Sequence, residues 1–188
     1  MRVIFLDRDG VINKYPGDSD YVKSWEEFSF LPEVIPSLKE LKDNGFGLCI
    51  ISNQAGVGTG IFSRSALDSI TTNMLRQLKK AGVELLGVYY CTHRPQDNCP
   101  CRKPKTGLID KAIADFFKLG IEVDFQDSYF IGDSLVDVET GKNAGLKTVL
   151  LFSGKEKPAN RKNWSLFPDF TALDLKEAVG IIVALHPF

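Results

Sequence analysis

Short apolar runs alternate along the chain with segments whose apolar residues recur at helical spacing. The apolar runs predict buried strands at residues 2–6, 46–51, 85–90, 128–131 and 147–151. The other segments predict helices at residues 31–44, 63–81, 108–119, 136–144 and 172–185. Because the strands are apolar throughout and are separated by helices, we expect an α/β fold with a doubly wound parallel sheet covered on both faces.

Individual residues refine two of these helices. Pro32 suits the first turn of the helix that begins at residue 31. Ser63 is a good N-cap for the next helix. The apolar face predicted for that second helix consists of Leu67, Ile70, Met74, Leu75 and Leu78.

Polar residues of the types that bind ligands or take part in catalysis follow four of the predicted strands. They occupy the segments 7–10, 52–54, 91–93 and 132–134. In parallel α/β sheets, ligands bind beyond the carboxyl ends of the strands. The sequence therefore predicts one functional site at this edge of the sheet.

Four aspartates would place their carboxylates at that edge, namely Asp7, Asp9, Asp133 and Asp137. Asp7 and Asp9 are two residues apart, so both can project from the same side of the chain. Gathered carboxylates repel one another, and Mg²⁺, which prefers oxygen ligands, would relieve the repulsion. Taken singly, each aspartate could instead cap a helix or form a turn, and Asp137 could be a first-turn helix charge. The combination favours a metal site.

Three cysteines and a histidine cluster within eleven residues, as Cys91, His93, Cys99 and Cys101. Three thiolates and one imidazole make a closed tetrahedral set, which suits a structural Zn²⁺ that staples the loop. The alternative is three buried cysteines with an incidental histidine. Cys49 lies inside a predicted strand and is expected to be a plain core residue.

Composition limits the classes of protein that fit. The chain has 188 residues, of which 44% are hydrophobic and 25% are charged, as suits one domain spanning residues 1–188. Its formal net charge of −1 gives no global field that would favour nucleic acid or an anionic membrane. The first apolar run is too short for a secretion signal. We therefore expect a monomeric, cytoplasmic protein with neither nucleic acid nor a membrane as its partner.

Four motifs, in the same order along the chain, resemble those of the haloacid dehalogenase superfamily of phosphohydrolases. They are Asp-x-Asp-Gly-Val at 7–11, Ser-Asn-Gln at 52–54, the lysine of 102–104 and Gly-Asp-Ser-x-x-Asp at 132–137. The resemblance covers residues 2–151 and implies a Rossmann-like fold and a phosphatase that works through an aspartyl phosphate. The segment 15–30 is too short for the separate cap domain that many relatives carry, so we expect only a flap there.

The resemblance gives each motif a role. It implies that Asp7 is the nucleophile, and that Asp9 protonates the leaving alcohol and then activates water. Ser52 and Lys103 would stabilise the phosphoryl group during transfer. The implied magnesium ligands are Asp7, Asp9 through its backbone carbonyl, and Asp133, with Asp137 as a further ligand or a supporting residue.

Within the superfamily, a zinc loop that leads into Arg-Lys-Pro resembles one branch, the D-glycero-D-manno-heptose 1,7-bisphosphate phosphatases and the histidinol-phosphate phosphatases. The branch implies that the substrate is a small phosphorylated metabolite and that the 7-phosphate of the heptose bisphosphate is removed. Histidinol phosphate stays an alternative, because Ser134 and Thr59 stand where heptose enzymes commonly have Lys and Arg. The implied substrate-binding residues are Arg8, Asn53, Gln54, Lys103 and Arg102, the last of these for the second phosphate.

Two other classes of protein share part of this pattern. A phospho-accepting receiver domain also combines Asp, Ser or Thr, Lys and Mg²⁺, but Asp9 beside Asp7 favours turnover over storage of the phosphoryl group. A zinc-stabilised interaction module on an inactive phosphatase scaffold is the third possibility. The presence of every catalytic residue type favours the enzyme.

Overall fold

One sheet of six parallel strands forms the centre of the molecule. The structure is a computed structural model that describes residues 1–18 and 20–187. Its strands are β1 (Val3–Leu6), β2 (Gly47–Asn53), β3 (Gly87–Cys91), β4 (Tyr129–Gly132), β5 (Lys147–Leu151) and β6 (Phe170–Ala172). They lie in the order β3-β2-β1-β4-β5-β6, so β1 is central and the chain winds outward from it in both directions.

Helices cover both faces of this sheet. They are α1 (Val34–Asp43), α2 (Ala55–Gly58), α3 (Arg64–Lys80), α4 (Gly107–Lys118), α5 (Leu135–Asn143) and α6 (Leu175–Leu185), with short 3₁₀ turns at Pro95–Asp97 and Pro158–Asn163. Apolar residues of α1, α3 and α6 share one core with Ile4 and Leu6. Val3 and Phe5 face the other way and pack with α4. The predicted doubly wound parallel sheet is confirmed. No helix in the described ranges is both long and apolar enough to span a bilayer.

The end of the chain, after β5, departs from the prediction. The segment predicted as a single helix from residue 172 contains the end of an edge strand, β6, and then α6, which starts at Leu175. The Asp174 side chain accepts a hydrogen bond from the backbone N–H of Glu177 and so begins the helix. A capping aspartate followed three residues later by a glutamate is a start signal that the sequence does contain.

Two predicted details of the other helices were wrong. Pro32 lies before α1 rather than in its first turn, since the helix begins at Val34. Leu75 of α3 is exposed, whereas the other four apolar residues of that face are buried. Ser63 caps α3 as predicted, and its hydroxyl accepts a hydrogen bond from the N–H of Ala66.

Candidate active site

The predicted catalytic residues line one cavity of about 240 Å³ at the carboxyl ends of β1, β2 and β4. Its lining includes Asp7, Asp9, Ser52, Asn53, Arg102, Lys103, Asp133 and Asp137. Arg8 and Gln54, predicted to bind substrate, are buried and are not part of this lining. The structure thus gathers one group of predicted residues around the cavity and places the other behind it.

Lys103 bridges two of the carboxylates at this cavity. Its Nζ lies 3.0 Å from Oδ2 of Asp7 and 2.6 Å from Oδ1 of Asp137. Burial lowers the pKa of Lys103, but the charges of Asp137 and Asp7 outweigh it and hold that pKa above its usual range. Burial also raises the pKa of Asp7 to about 6, although Lys103 opposes this. The lysine is therefore a fixed positive charge beside the proposed nucleophile.

Asp133 is held in a space that only glycine leaves open. A Cβ atom on Gly10 would lie 2.1 Å from its Oδ2, and one on Gly154 would lie 1.9 Å from the same oxygen. That oxygen accepts a 2.7 Å hydrogen bond from the backbone N–H of Lys155. Burial and the neighbouring charges of Asp137 and Asp7 raise the pKa of Asp133 to about 8.

The carboxylates fit a divalent cation with oxygen ligands. Oxygen atoms of Asp7, Asp133 and Asp137 all lie within 4.8 Å of one another, and an all-oxygen set suits Mg²⁺. Both oxygens of Asp137 are already engaged, one by Lys103 and the other by the backbone N–H and hydroxyl of Ser134. Asp137 therefore supports the site through the capping box at the start of α5, in which Ser134 is the N-cap, more readily than it ligates. The Asp9 carboxylate does not belong to this set.

Asn53 holds the backbone of Lys103 rather than projecting as a free side chain. Its Oδ1 accepts from the N–H of Lys103 at 3.1 Å, and its Nδ2 donates to the carbonyl of Lys103 at 3.2 Å. The two hydrogen bonds join the end of β2 to a loop fifty residues away. This pair is called the Asn53 clamp below, and it fixes the main chain from which the ammonium group extends.

The predicted zinc ligands come together on the loop that follows β3. The sulfur atoms of Cys91, Cys99 and Cys101 lie 3.3–3.5 Å apart, and Nδ1 of His93 lies 3.1 Å from the sulfur of Cys101. Ligands at about 2.3 Å from Zn²⁺ in a tetrahedron are separated by about 3.8 Å. The four side chains therefore fit a tetrahedral zinc ion after only a small expansion. Cys49 is buried in the core as expected.

Arg102 lies between the zinc loop and the cavity. Its Nη1 is buried and has no hydrogen-bond partner among residues 1–18 and 20–187. Arg102 also lines the cavity, and a guanidinium group at a cavity wall is suited to an anionic group. Ser134 and Thr59, the two departures from the heptose pattern, make local hydrogen bonds to Asp137 and to the carbonyl of Ala55.

The structure also adds residues that the sequence analysis missed. Tyr15, Tyr21 and Lys155 line the same cavity. Lys155 follows β5, whose carboxyl end points to the same edge, so the rule applied to the other strands could have found it. The two tyrosines belong to the long segment between β1 and α1, where sequence position alone does not reveal which rings turn toward the site.

Comparisons with known proteins agree with this geometry. The family model described as HAD-hydrolase-like matches residues 100–178. The D-glycero-D-manno-heptose-1,7-bisphosphate 7-phosphatase of Chlorobaculum tepidum is 36% identical over 185 residues, which covers 95% of this chain and 92% of that protein. The D-glycero-beta-D-manno-heptose-1,7-bisphosphate 7-phosphatase of Haemophilus ducreyi is 39% identical over 162 residues, covering 82% of this chain and 85% of that protein.

A solved structure extends the likeness to three dimensions. The D,D-heptose 1,7-bisphosphate phosphatase of B. bronchiseptica, crystallised with magnesium and phosphate, superposes with a TM-score of 0.86 at 27% identity. The match covers 98% of this chain and 99% of that one. The chain belongs to the haloacid dehalogenase-like hydrolases, in the branch that contains the heptose bisphosphate phosphatases.

Proposed function

We propose that this protein is a magnesium-dependent phosphatase that removes the 7-phosphate of D-glycero-D-manno-heptose 1,7-bisphosphate through an aspartyl phosphate. The observation that carries the proposal is the buried Lys103 held between Asp7 and Asp137 at the cavity. A carboxylate nucleophile beside a fixed cation and an oxygen-donor metal site is what transfer of a phosphoryl group to aspartate requires. The choice of substrate is inferred from the named relatives, which match this chain over most of its length.

The first half of the reaction transfers the phosphoryl group to the protein. An oxygen of Asp7 attacks phosphorus, the bond to the sugar oxygen breaks, and Asp9 gives its proton to that leaving oxygen. The Ser52 hydroxyl and the Lys103 ammonium group stabilise the charge on the transferring group. When bound by Asp7, Asp133 and the carbonyl of Asp9, Mg²⁺ would neutralise negative charge at this place.

The second half returns the nucleophile to its starting state. Asp9, now ionised, accepts a proton from water as the water oxygen attacks phosphorus and displaces the Asp7 carboxylate. Inorganic phosphate leaves, and Asp9 carries the proton for the next cycle. The same residue thus serves as acid and base in turn.

Recognition of the other end of the substrate falls to the loop after β3. Arg102 lines the cavity beside Lys103, and its planar guanidinium group suits bidentate contact with a second phosphate. Because Arg102 directly follows Cys101, zinc bound by the four ligands would fix its main chain. We expect a monomeric enzyme of the cytoplasm whose only partner is this small metabolite, and these points stay predictions.

The test is phosphate release in the presence of Mg²⁺, measured as kcat/KM for the heptose bisphosphate and for histidinol phosphate. We expect a large advantage for the heptose, with phosphorus NMR showing that the 7-phosphate is the one lost. Asp7→Asn should abolish turnover and leave the fold intact. An advantage for histidinol phosphate would overturn the substrate assignment, and turnover by Asp7→Asn would overturn the mechanism.

A further inference from the structure

The carboxylate of Asp9 is held by three side chains at once. Arg8 donates to its Oδ1 from Nε at 3.2 Å and from Nη2 at 3.0 Å, and Nη2 also lies 3.1 Å from Oδ2. Asn13 donates to Oδ1 at 2.8 Å, and Gln54 donates to Oδ2 at 2.9 Å. Five contacts between 2.8 and 3.2 Å fix both the position and the rotation of this one carboxylate.

All three partners stand behind Asp9 and away from the cavity. Arg8, Asn13 and Gln54 are each fully buried and do not line the cavity, whereas the Asp9 side chain is 17% exposed and does. In residues 1–18 and 20–187, the Asp9 carboxylate is the only salt-bridge partner of Arg8. A buried guanidinium is costly unless it is paired and hydrogen-bonded, so the structure retains this charge specifically against Asp9.

Gln54 is itself fixed in orientation. Its Oε1 accepts from Nη2 of Arg8 at 3.1 Å, so its amide nitrogen must face the other way. That nitrogen donates to Asp9 and, at 3.3 Å, to the hydroxyl of Ser52. The amide therefore ties the proposed acid–base residue to the proposed phosphoryl-binding serine.

We propose that Arg8, Asn13 and Gln54 are positioning residues that aim the Asp9 carboxylate at the leaving oxygen, and that none of them binds substrate. This inference rests on the proposed function and replaces the substrate-binding role that the family resemblance implies for Arg8 and Gln54. Acid–base catalysis by a placed side chain contributes about 10²–10⁴-fold, and a displacement of about 1 Å can remove about 10²-fold of a rate. Loosening the carboxylate should therefore impair the proton transfer before it impairs binding.

The test compares two leaving groups in the Gln54→Leu variant. The heptose bisphosphate releases an alcohol that must be protonated as it leaves, whereas 4-nitrophenyl phosphate releases a stable phenolate that needs no proton. Because kcat/KM reports steps only up to loss of the leaving group, it isolates the acid role of Asp9 from its later role as a base. We expect kcat/KM to fall about 10²-fold for the heptose but less than about fivefold for the aryl phosphate.

Further variants separate positioning from structural damage. Asn13→Ala removes a different donor to the Asp9 carboxylate, and it should also lower kcat/KM selectively for the heptose, by a smaller factor. Arg8→Lys keeps the charge but loses the fork, so its loss should be intermediate. Ser128→Ala removes the hydroxyl that bonds Val3 and Asp124 at the opposite edge of the sheet, and it should lower stability without changing the ratio between substrates.

The outcomes divide cleanly. A loss of kcat/KM on the heptose that is much larger than the loss on the aryl phosphate, with an unchanged Kd for the heptose bisphosphate in the inactive Asp7→Asn background, supports the inference. Equal losses of kcat/KM on both substrates would overturn it in favour of a structural role, and a weaker Kd for the heptose bisphosphate in Asp7→Asn/Gln54→Leu than in Asp7→Asn would overturn it in favour of substrate binding. A wild-type protein that hydrolyses neither substrate overturns the proposed function together with this inference, whereas an active wild type with equal losses overturns the inference alone.

Discussion

Without magnesium, the carboxylate cluster should make the fold less stable as the pH rises. Burial and the charges of Asp137 and Asp7 raise the pKa of Asp133 to about 8, from an ordinary value of 3.8. Between pH 3.8 and pH 8, Asp133 therefore keeps its proton in the folded protein but has lost it in the unfolded chain. Stability that is fully present below pH 3.8 is therefore lost progressively as the pH rises through 8. One proton corresponds to about 1.4 kcal/mol per pH unit, so we expect a loss of about 2 kcal/mol between pH 6 and pH 8.

Urea unfolding at these two pH values, in buffers that contain no magnesium, measures this loss. For an m-value of about 2 kcal/mol/M, the unfolding midpoint of the wild type should fall by about 1 M urea. Asp133→Asn, which cannot ionise, should lose less than half as much, and Asp43→Asn on the exposed side of α1 should behave like the wild type. Added Mg²⁺ should stabilise the wild type more at pH 8 than at pH 6. Equal losses in the wild type and in Asp133→Asn would refute the reasoning.

Three further substitutions test other parts of the site. Asn53→Ala removes the Asn53 clamp and should lower kcat about tenfold, the effect of losing about 1.4 kcal/mol of positioning. Asn143→Ala, which removes an exposed hydrogen bond to the same loop at Pro104, should retain nearly full kcat, and equal losses would contradict a specific clamp. Gly154→Ala should abolish phosphate release, because its Cβ would collide with the Asp133 carboxylate. The control Gly180→Ala has open space in α6 and should raise the unfolding free energy by about 1 kcal/mol. An active Gly154→Ala enzyme would show that the space around Asp133 need not stay open. Cys99→Ser should lower the zinc content below about one ion per chain, and it should also lower Tm and kcat. A zinc-free variant with unchanged activity and substrate preference would show that the loop does not order the site.

The fold was predictable because each long element carries a strong local pattern. The strands β1, β2, β4 and β5 are apolar on both faces, and α3 has both a capping serine and an apolar stripe. β6 was missed because it has only three residues and lies at the edge of the sheet, where burial is partial. α2 is a single turn that contains two glycines, and its conformation depends on contacts rather than on helix propensity.

The site was predictable as a set of positions but not as a set of contacts. The rule that functional groups follow parallel strands placed Asp7, Asp9 and Asp133 together. It did not show that Asn53 turns toward the lysine backbone or that Arg8 turns inward. For Arg8 a signal was available, because side chains alternate along an extended chain and the residue between two cavity-facing aspartates must point the other way.

That alternation also bears on how the central strand finds its place. Val3–Leu6 of β1 is apolar and buried on both faces, so a slip of one residue against β2 and β4 would exchange one set of apolar side chains for another. The residues that follow do not tolerate the same exchange. A slip would turn the Arg8 guanidinium into the cavity and push the carboxylates of Asp7 and Asp9 into the protein interior without their partners, at a large cost in solvation. The three charged residues therefore specify the alignment of the central strand in the folded sheet, which its apolar residues leave open.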